Sequence, residues 1–147
     1  MADLNEELKV NAPLDKVFAF LANPENRVHI YVNVAEVNKL TEGDWHIGSE
    51  FREVRQLTNR KVGSELKIID LIENKQVAYE SDEKGLKQTY RYFCEEAEGG
   101  TKVRFEGTVH TNSIKTKLMR PLLVKMVKKE EGDQLLNVKK YFEDEEE

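Results

Sequence analysis

Hydrophobic and polar positions alternate with a period of two over much of the chain and with a helical period at its two ends. Leu4, Leu8 and Val10 share one parity, interrupted by Glu6, which predicts a strand with one buried face. Ala12-Pro13-Leu14-Asp15 then starts a helix. Proline suits the first helical position, where its missing N–H would be unpaired anyway, and Asp15 suits the positive end of the helix dipole. Leu14, Val17, Phe18 and Leu21 follow at helical spacing, and Asn23-Pro24 repeats the start signal for a second short helix ending near Tyr31. From residue 34 the period is two. Six strands are predicted over Val34–Leu40, Glu50–Leu57, Val62–Ile72, Val77–Ser81, Leu86–Glu95 and Lys102–His110. Turn residues separate them: Glu42-Gly43-Asp44, Thr58-Asn59, Glu73-Asn74-Lys75, Lys84-Gly85 and Gly99-Gly100. Such short connections make antiparallel hairpins. Ile69, Leu71 and Ile72 break the alternation, as a bulge would.

After His110 the helical period returns. Ile114, Leu118, Leu122 and Met126 form one stripe, beside Met119, Leu123 and Val127. Pro121 should kink this helix near its start. Lys128–Gln134 is a polar interruption containing Gly132, and Leu135, Leu136, Val138, Tyr141 and Phe142 resume the apolar face. The resulting order is strand, two short helices, six strands, long helix. A single antiparallel sheet needs cover on one face, and the C-terminal helix is long enough to give it.

Parity assigns the inward residues. Val103, Phe105, Gly107 and Val109 share the inner face of the last strand; Val77, Tyr79, Ser81, Tyr90, Tyr92, Leu66 and Ile68 point the same way on its neighbours. Tyr79, Tyr90 and Tyr92 thereby form an aromatic cluster with hydroxyl tips. It reads either as core packing, each hydroxyl finding a partner, or as a cavity whose polar tips orient a guest. In the strand from Glu50, Glu53 and Arg55 share parity with Phe51 and Leu57. Buried charges are costly unless paired, so the favoured expectation is a solvated pair with Val54 inward. If the pair does face in, it is the candidate polar site.

Charge and composition narrow the classes. Of 147 residues, 23 are basic and 28 acidic; the last five, Glu143–Glu147, are all acidic and carry the net charge of −5. That tail, at a helix C-terminus where the dipole disfavours anions, is expected to fray. The remaining body is balanced, which argues against a nucleic-acid binder. Twelve aromatic residues argue against a disordered chain. No apolar run approaches the roughly 20 residues of a membrane span, no signal peptide is evident, and a lone Cys94 makes neither an internal disulfide nor a cysteine-based zinc site. The expectation is one domain spanning 1–147, monomeric and cytoplasmic, without metal or cofactor. His29, His46 and His110 do not cluster, and each reads as a surface or rim residue. Cys94 reads as a small buried filler. No Ser/His/Asp arrangement, phosphate loop or dinucleotide fingerprint is present. Lys115–Lys129 holds six Lys/Arg and no acid, interleaved with leucines and methionines. Such a helix suits an anionic membrane surface, but the expected arrangement packs its apolar stripe on the sheet.

One resemblance adds to this reading. Val10-Asn11-Ala12-Pro13, followed by Lys16-Val17-Phe18-Ala19-Phe20-Leu21-Ala22-Asn23-Pro24, resembles the opening of the helix-grip superfamily, which includes START lipid-transfer domains, the birch-pollen allergen family and polyketide cyclase-like proteins. Gly48-Ser49-Glu50-Phe51, Gly99-Gly100-Thr101-Lys102-Val103 and the stretch Leu135–Glu143 fit as well. The chaperone-activator branch carries a tryptophan-rich segment after the second helix. Here that segment is Val28-His29-Ile30-Tyr31-Val32 and the single tryptophan is Trp45, so the polyketide cyclase-like branch is the better match. The resemblance implies an α+β fold, a curved antiparallel sheet of about seven strands wrapped around a long C-terminal helix. It implies binding or transport of a small hydrophobic molecule (lipid, sterol or aromatic polyketide) between sheet and helix. The alternatives are a cyclase/dehydratase-like enzyme, for which Tyr90, Tyr92, Glu53 or Arg55 would handle protons, and a chaperone-ATPase-activator-like module. The expected lining is Phe51, Leu66, Ile68, Val77, Tyr79, Tyr90, Tyr92, Val103, Phe105, Leu122, Met126 and Gly132, with Glu53 and Arg55 as the polar pair. Gly132 reads either as space left for a guest near Tyr90 and Phe105 or as a solvated joint between two helical segments.

Overall fold

A computed structural model describes residues 3–83, 86–111, 117, 118, 120–122, 124, 125 and 133–144. Seven strands form one antiparallel sheet: β1 (Leu4–Val10), β2 (Val34–Lys39), β3 (Glu50–Gln56), β4 (Lys61–Ile72), β5 (Gln76–Glu83), β6 (Leu86–Ala97) and β7 (Gly100–Thr111). Their spatial order is β1-β7-β6-β5-β4-β3-β2. From β2 to β7 every strand pairs with its neighbour in sequence, as the short turn-rich connections require. The exception is β1, which joins the far edge through Leu4↔Gly107 to Val10↔Thr101.

The predicted irregularity in β4 is present: the β4–β5 register shifts between Ile68 and Asp70. The extra residue, Ile69, has no partner in this register, and such an insertion bends the strand that carries it. Asn74, in the β4–β5 turn, takes the left-handed conformation at φ 59° that asparagine tolerates better than most residues. At the β6–β7 turn the limit is space. A Cβ on Gly100 would stand 2.2 Å from the Val10 carbonyl oxygen, so only glycine lets β1 run this close.

The connection from β1 to β2 crosses the sheet through α1 (Leu14–Ala22), a 3-10 turn (Pro24–Asn26) and α2 (Arg27–Ile30). Asn23 caps the turn, its side-chain oxygen accepting the Glu25 N–H. α1 buries Val17, Phe18, Phe20 and Leu21. The C-terminal helix α3 (Gln134–Asp144) packs against β1 and α2. Its Leu135 and Val138 are buried, and Tyr141 stacks on Phe20 with ring centroids 4.3 Å apart. Glu143 and Asp144, the start of the acidic tail, stand in the last turn of α3, where Lys139 bonds Glu143 at 2.6 Å. Residues 145–147 lie outside the described residues. No helix among the described residues is long and apolar enough to cross a membrane.

Two expectations need correction. The second short helix is a 3-10 turn followed by a single α-helical turn. The described residues between 117 and 125 are helical, but Leu118 and Leu122 are 79% and 54% exposed, so this part of the predicted stripe does not line the interior. Leu118 and Leu122 thus add no buried apolar surface, whereas α1, α2 and α3 supply Phe18, Leu21, Ile30, Leu135 and Val138 to the core. Met126 and Gly132 fall outside the described residues, as does the Lys84–Gly85 turn.

The core should therefore respond unevenly. Phe105→Ala is expected to cost about 3–5 kcal/mol, and Leu118→Ala to stay within about 0.5 kcal/mol. Urea denaturation of the two variants checks this; equal losses would contradict the exposure of Leu118.

Candidate functional site

The concave face of the sheet is built by parity, as predicted. Phe51, Leu66, Ile68, Val77, Tyr79, Tyr90, Tyr92, Val103 and Phe105 are all buried. Register brings them together: Phe51 faces Leu66, Ile68 faces Tyr79, Tyr79 faces Tyr90, and Tyr92 faces both Val77 and Phe105. Tyr90 lies opposite Gly107, whose missing side chain leaves room beside the Phe105 ring. Phe51 meets Tyr79 edge-on at 5.7 Å, and Tyr92 meets Phe105 at 5.0 Å.

Glu53 does not stand in solvent. It is 2% exposed, on the same face as Phe51, which overturns the expectation of a solvated pair. The partner that makes this tolerable is Arg27, itself 1% exposed. Arg27 Nε donates to Glu53 Oε2, and Arg55 Nε donates to Glu53 Oε1 at 2.7 Å. One carboxylate thus holds two guanidiniums, using both its oxygens. Burial by itself would raise the Glu53 pKa, but the adjacent Arg27 and Arg55 charges outweigh it and hold the carboxyl below its ordinary value. Burial would likewise lower the Arg27 pKa, and the Glu53 carboxylate reverses this, so Arg27 stays charged.

Arg27 also sits within a ring of tyrosines. Its Cζ is 4.6 Å from the Tyr31 ring centroid, 5.0 Å from Tyr90 and 5.3 Å from Tyr79. Aromatic faces attract a desolvated cation. The tyrosine hydroxyls are placed in turn. Tyr79 donates to the Leu21 carbonyl at 2.5 Å, and burial raises its pKa, with Arg27 opposing. Tyr31 donates to Gln134 Oε1 at 2.7 Å, Tyr92 bonds the same oxygen, and the two hydroxyls are 2.5 Å apart. Gln134, the first residue of α3, is buried. A cleft of about 260 Å³ lies between the α2–β2 loop and the start of α3, lined by Tyr31, Val32, Asn33, Asp133, Gln134 and Asn137 among others. Tyr31 and Gln134 belong both to this cleft and to the buried cluster.

Not every buried polar atom is matched. Arg27 Nη1 and Nη2 and Gln134 Nε2 have no hydrogen-bond partner among the described residues. Cys94 is buried, its thiol pushed up to about 12 by burial, as suits an inert filler. Among the described residues no group of three His, Cys, Asp or Glu is placed to hold a metal ion.

Sequence reasoning missed Arg27, Tyr31 and Gln134. The signal for the first two was present, since Pro24, Arg27, Ile30 and Tyr31 recur at helical spacing and all four are buried. Arginine on that face marks a charge in need of a carboxylate. Gln134 closed the polar interruption and carried no comparable signal.

With this geometry in hand, comparison with known proteins places the chain. The family described as polyketide cyclase/dehydrase and lipid transport matches residues 1–143, and the chain belongs to it. The fold is the helix grip. Among solved structures, TTHA0849 from Thermus thermophilus superposes with a TM-score of 0.72 at 16% identity, over 93% of this chain and 94% of that one. The di-domain ARO/CYC StfQ from the steffimycin biosynthetic pathway gives 0.75 at 13% identity, over 97% of this chain and 50% of that one. Ara h 8.0201 gives 0.69 at 17% identity, over 95% of each chain. At these identities the likeness is one of fold. Comparison with curated protein sequences gives no significant match.

The ion triad sets an acid limit. Because the Glu53 pKa is lowered in the folded state, its contribution to stability is complete above its ordinary value of 4.5 and is lost as pH falls below that through the native value. Removing one member of a buried pair costs about 3–5 kcal/mol, so Glu53→Gln should unfold at markedly lower urea near neutral pH. The gap to wild type should narrow as pH drops below 4.5. A constant gap across pH would contradict the pairing.

Proposed function

We propose that the protein binds a small, largely apolar molecule between the concave face of its sheet and the helices that cover it, without transforming it. The observation that carries this reading is the buried cluster around Arg27. A face of aromatic and aliphatic side chains holds a few polar groups at one spot, the usual composition of a small-molecule site. Three of those polar atoms lack a partner among the described residues. An unmatched buried donor costs about 1–3 kcal/mol, an arrangement that makes sense where a guest supplies the acceptor. Membership in a family described by both cyclase/dehydrase and lipid transport supports an apolar guest.

The cyclase/dehydratase-like reading draws on one observation: Glu53 and Arg55 do sit on the inner face with the tyrosines. General-base work favours a pKa near the working pH. Glu53 is held below its ordinary value and both its oxygens are engaged by guanidiniums, so it is a poor base. Binding without turnover is therefore the better-supported function.

Titration with Nile red, an uncharged apolar dye, should give saturable one-to-one binding and shift the NMR signals of Tyr79, Tyr90 and Phe105. If neither this dye nor uncharged lipids or aromatic ketones move those signals, the binding reading is wrong. Conversion of a bound poly-ketone by wild type would favour the enzyme instead.

A further inference from the structure

We propose that the interior site takes the carboxylate end of its guest on the Arg27 guanidinium, so that the ligand class is an apolar monocarboxylate. This rests on the binding reading above and adds the identity of the polar end.

The argument starts from the donor inventory. A guanidinium carries five N–H donors and no acceptor, whichever way its neighbours turn. Arg27 commits its Nε to Glu53, while Nη1 and Nη2, both buried, have no partner among the described residues. The outer edge formed by Nη1 and Nη2 is a two-pronged fork, and a carboxylate is the planar group that fills such a fork with two parallel hydrogen bonds. The third unmatched atom, Gln134 Nε2, belongs to the amide whose oxygen accepts from Tyr31 and Tyr92. Arg27 carries the proposal alone, because turning the Gln134 amide over leaves the guanidinium's deficit unchanged.

Position fits the same guest. The faces of Tyr31, Tyr79 and Tyr90 surround the guanidinium and exclude water from it. A charge-assisted bond made there is stronger than one made in solvent. Around these rings stand Phe51, Ile68 and Phe105, which suit a hydrocarbon body, and among the described residues the unmatched buried donors of a charged group are those of Arg27, enough for one carboxylate. Glu53 keeps Arg27 ionised. A guest whose polar end is a donor, an amine or ammonium, would meet a surplus of N–H groups and a guanidinium charge. An ester or alcohol would fill one prong at most.

The test compares matched pairs at neutral pH by calorimetry: dodecanoate against methyl dodecanoate, and 2-naphthoate against methyl 2-naphthoate. Which acid binds identifies the body as alkyl chain or fused ring. The acid of the preferred pair should bind at least about tenfold tighter than its ester, the low end of what a charge-assisted bond supplies. Arg27→Lys, which keeps the charge and loses the fork, should cut that preference. A readout independent of any variant is the side-chain NMR signal of labelled Arg27, which should shift with the acid and stay with the ester. Equal affinity for acid and ester, with Nile red still bound, overturns the carboxylate assignment and leaves the binding reading standing. An unmoved Arg27 signal on acid binding overturns it as well. If neither the esters, the acids nor Nile red bind, both readings fail together.

Discussion

A guanidinium withdrawn from water must be matched by something in the fold, and Arg27 is matched by Glu53. Much of the interior is arranged around that requirement. The pair ties α2 to β3 across the concave face. Arg27 opens α2, and the residue that caps the end of this helix, Tyr31, reaches Gln134 and Tyr92 with its hydroxyl. Tyr31 and Tyr79 serve two ends at once, with their rings facing the cation and their hydroxyls bonded to α3 and α1. A chain of contacts thus runs from β3 through α2 and across to the first residue of α3.

The same pair explains why this interior is polar at one place and apolar elsewhere. An uncompensated charge inside a sheet-and-helix sandwich would be prohibitive. Glu53 meets two cations with its two oxygens, and Arg55, less deeply placed, connects the buried carboxylate towards the rim. Buried ion pairs add little net stability over well-packed hydrocarbon. The sheet has its own means: long hairpins, a continuous apolar face, and the close pass of β1 over Gly100.

Most of the architecture is legible in the residues. Period-two alternation and turn residues locate all seven strands to within a few positions, and broken alternation at Ile69 locates the bulge. The concave lining follows from parity alone, because a side-chain period of two leaves no freedom once one position is fixed. Weighing charge against burial in isolation misleads. It puts Glu53 in solvent because the partner lies 26 residues earlier on a helix, and no local pattern reports such a contact. Leu118 and Leu122 mislead in the opposite sense. Their helical spacing is real, but spacing says nothing of whether a seat remains after other elements have covered the sheet.

The placement of β1 has a consequence for how the chain is made. Strands β2 to β7 pair in the order in which they are synthesised, each hairpin closing on the one before. β1 leaves the ribosome ahead of them all, yet its partner among the described strands is β7, the last of the seven to emerge. Its row of N–H and C=O groups therefore waits through the synthesis of every other strand, and the edge made earliest is the last to be satisfied. β1 carries Glu6 on its inner parity and Glu7 on its outer one, charges that discourage this waiting strand from pairing with another chain.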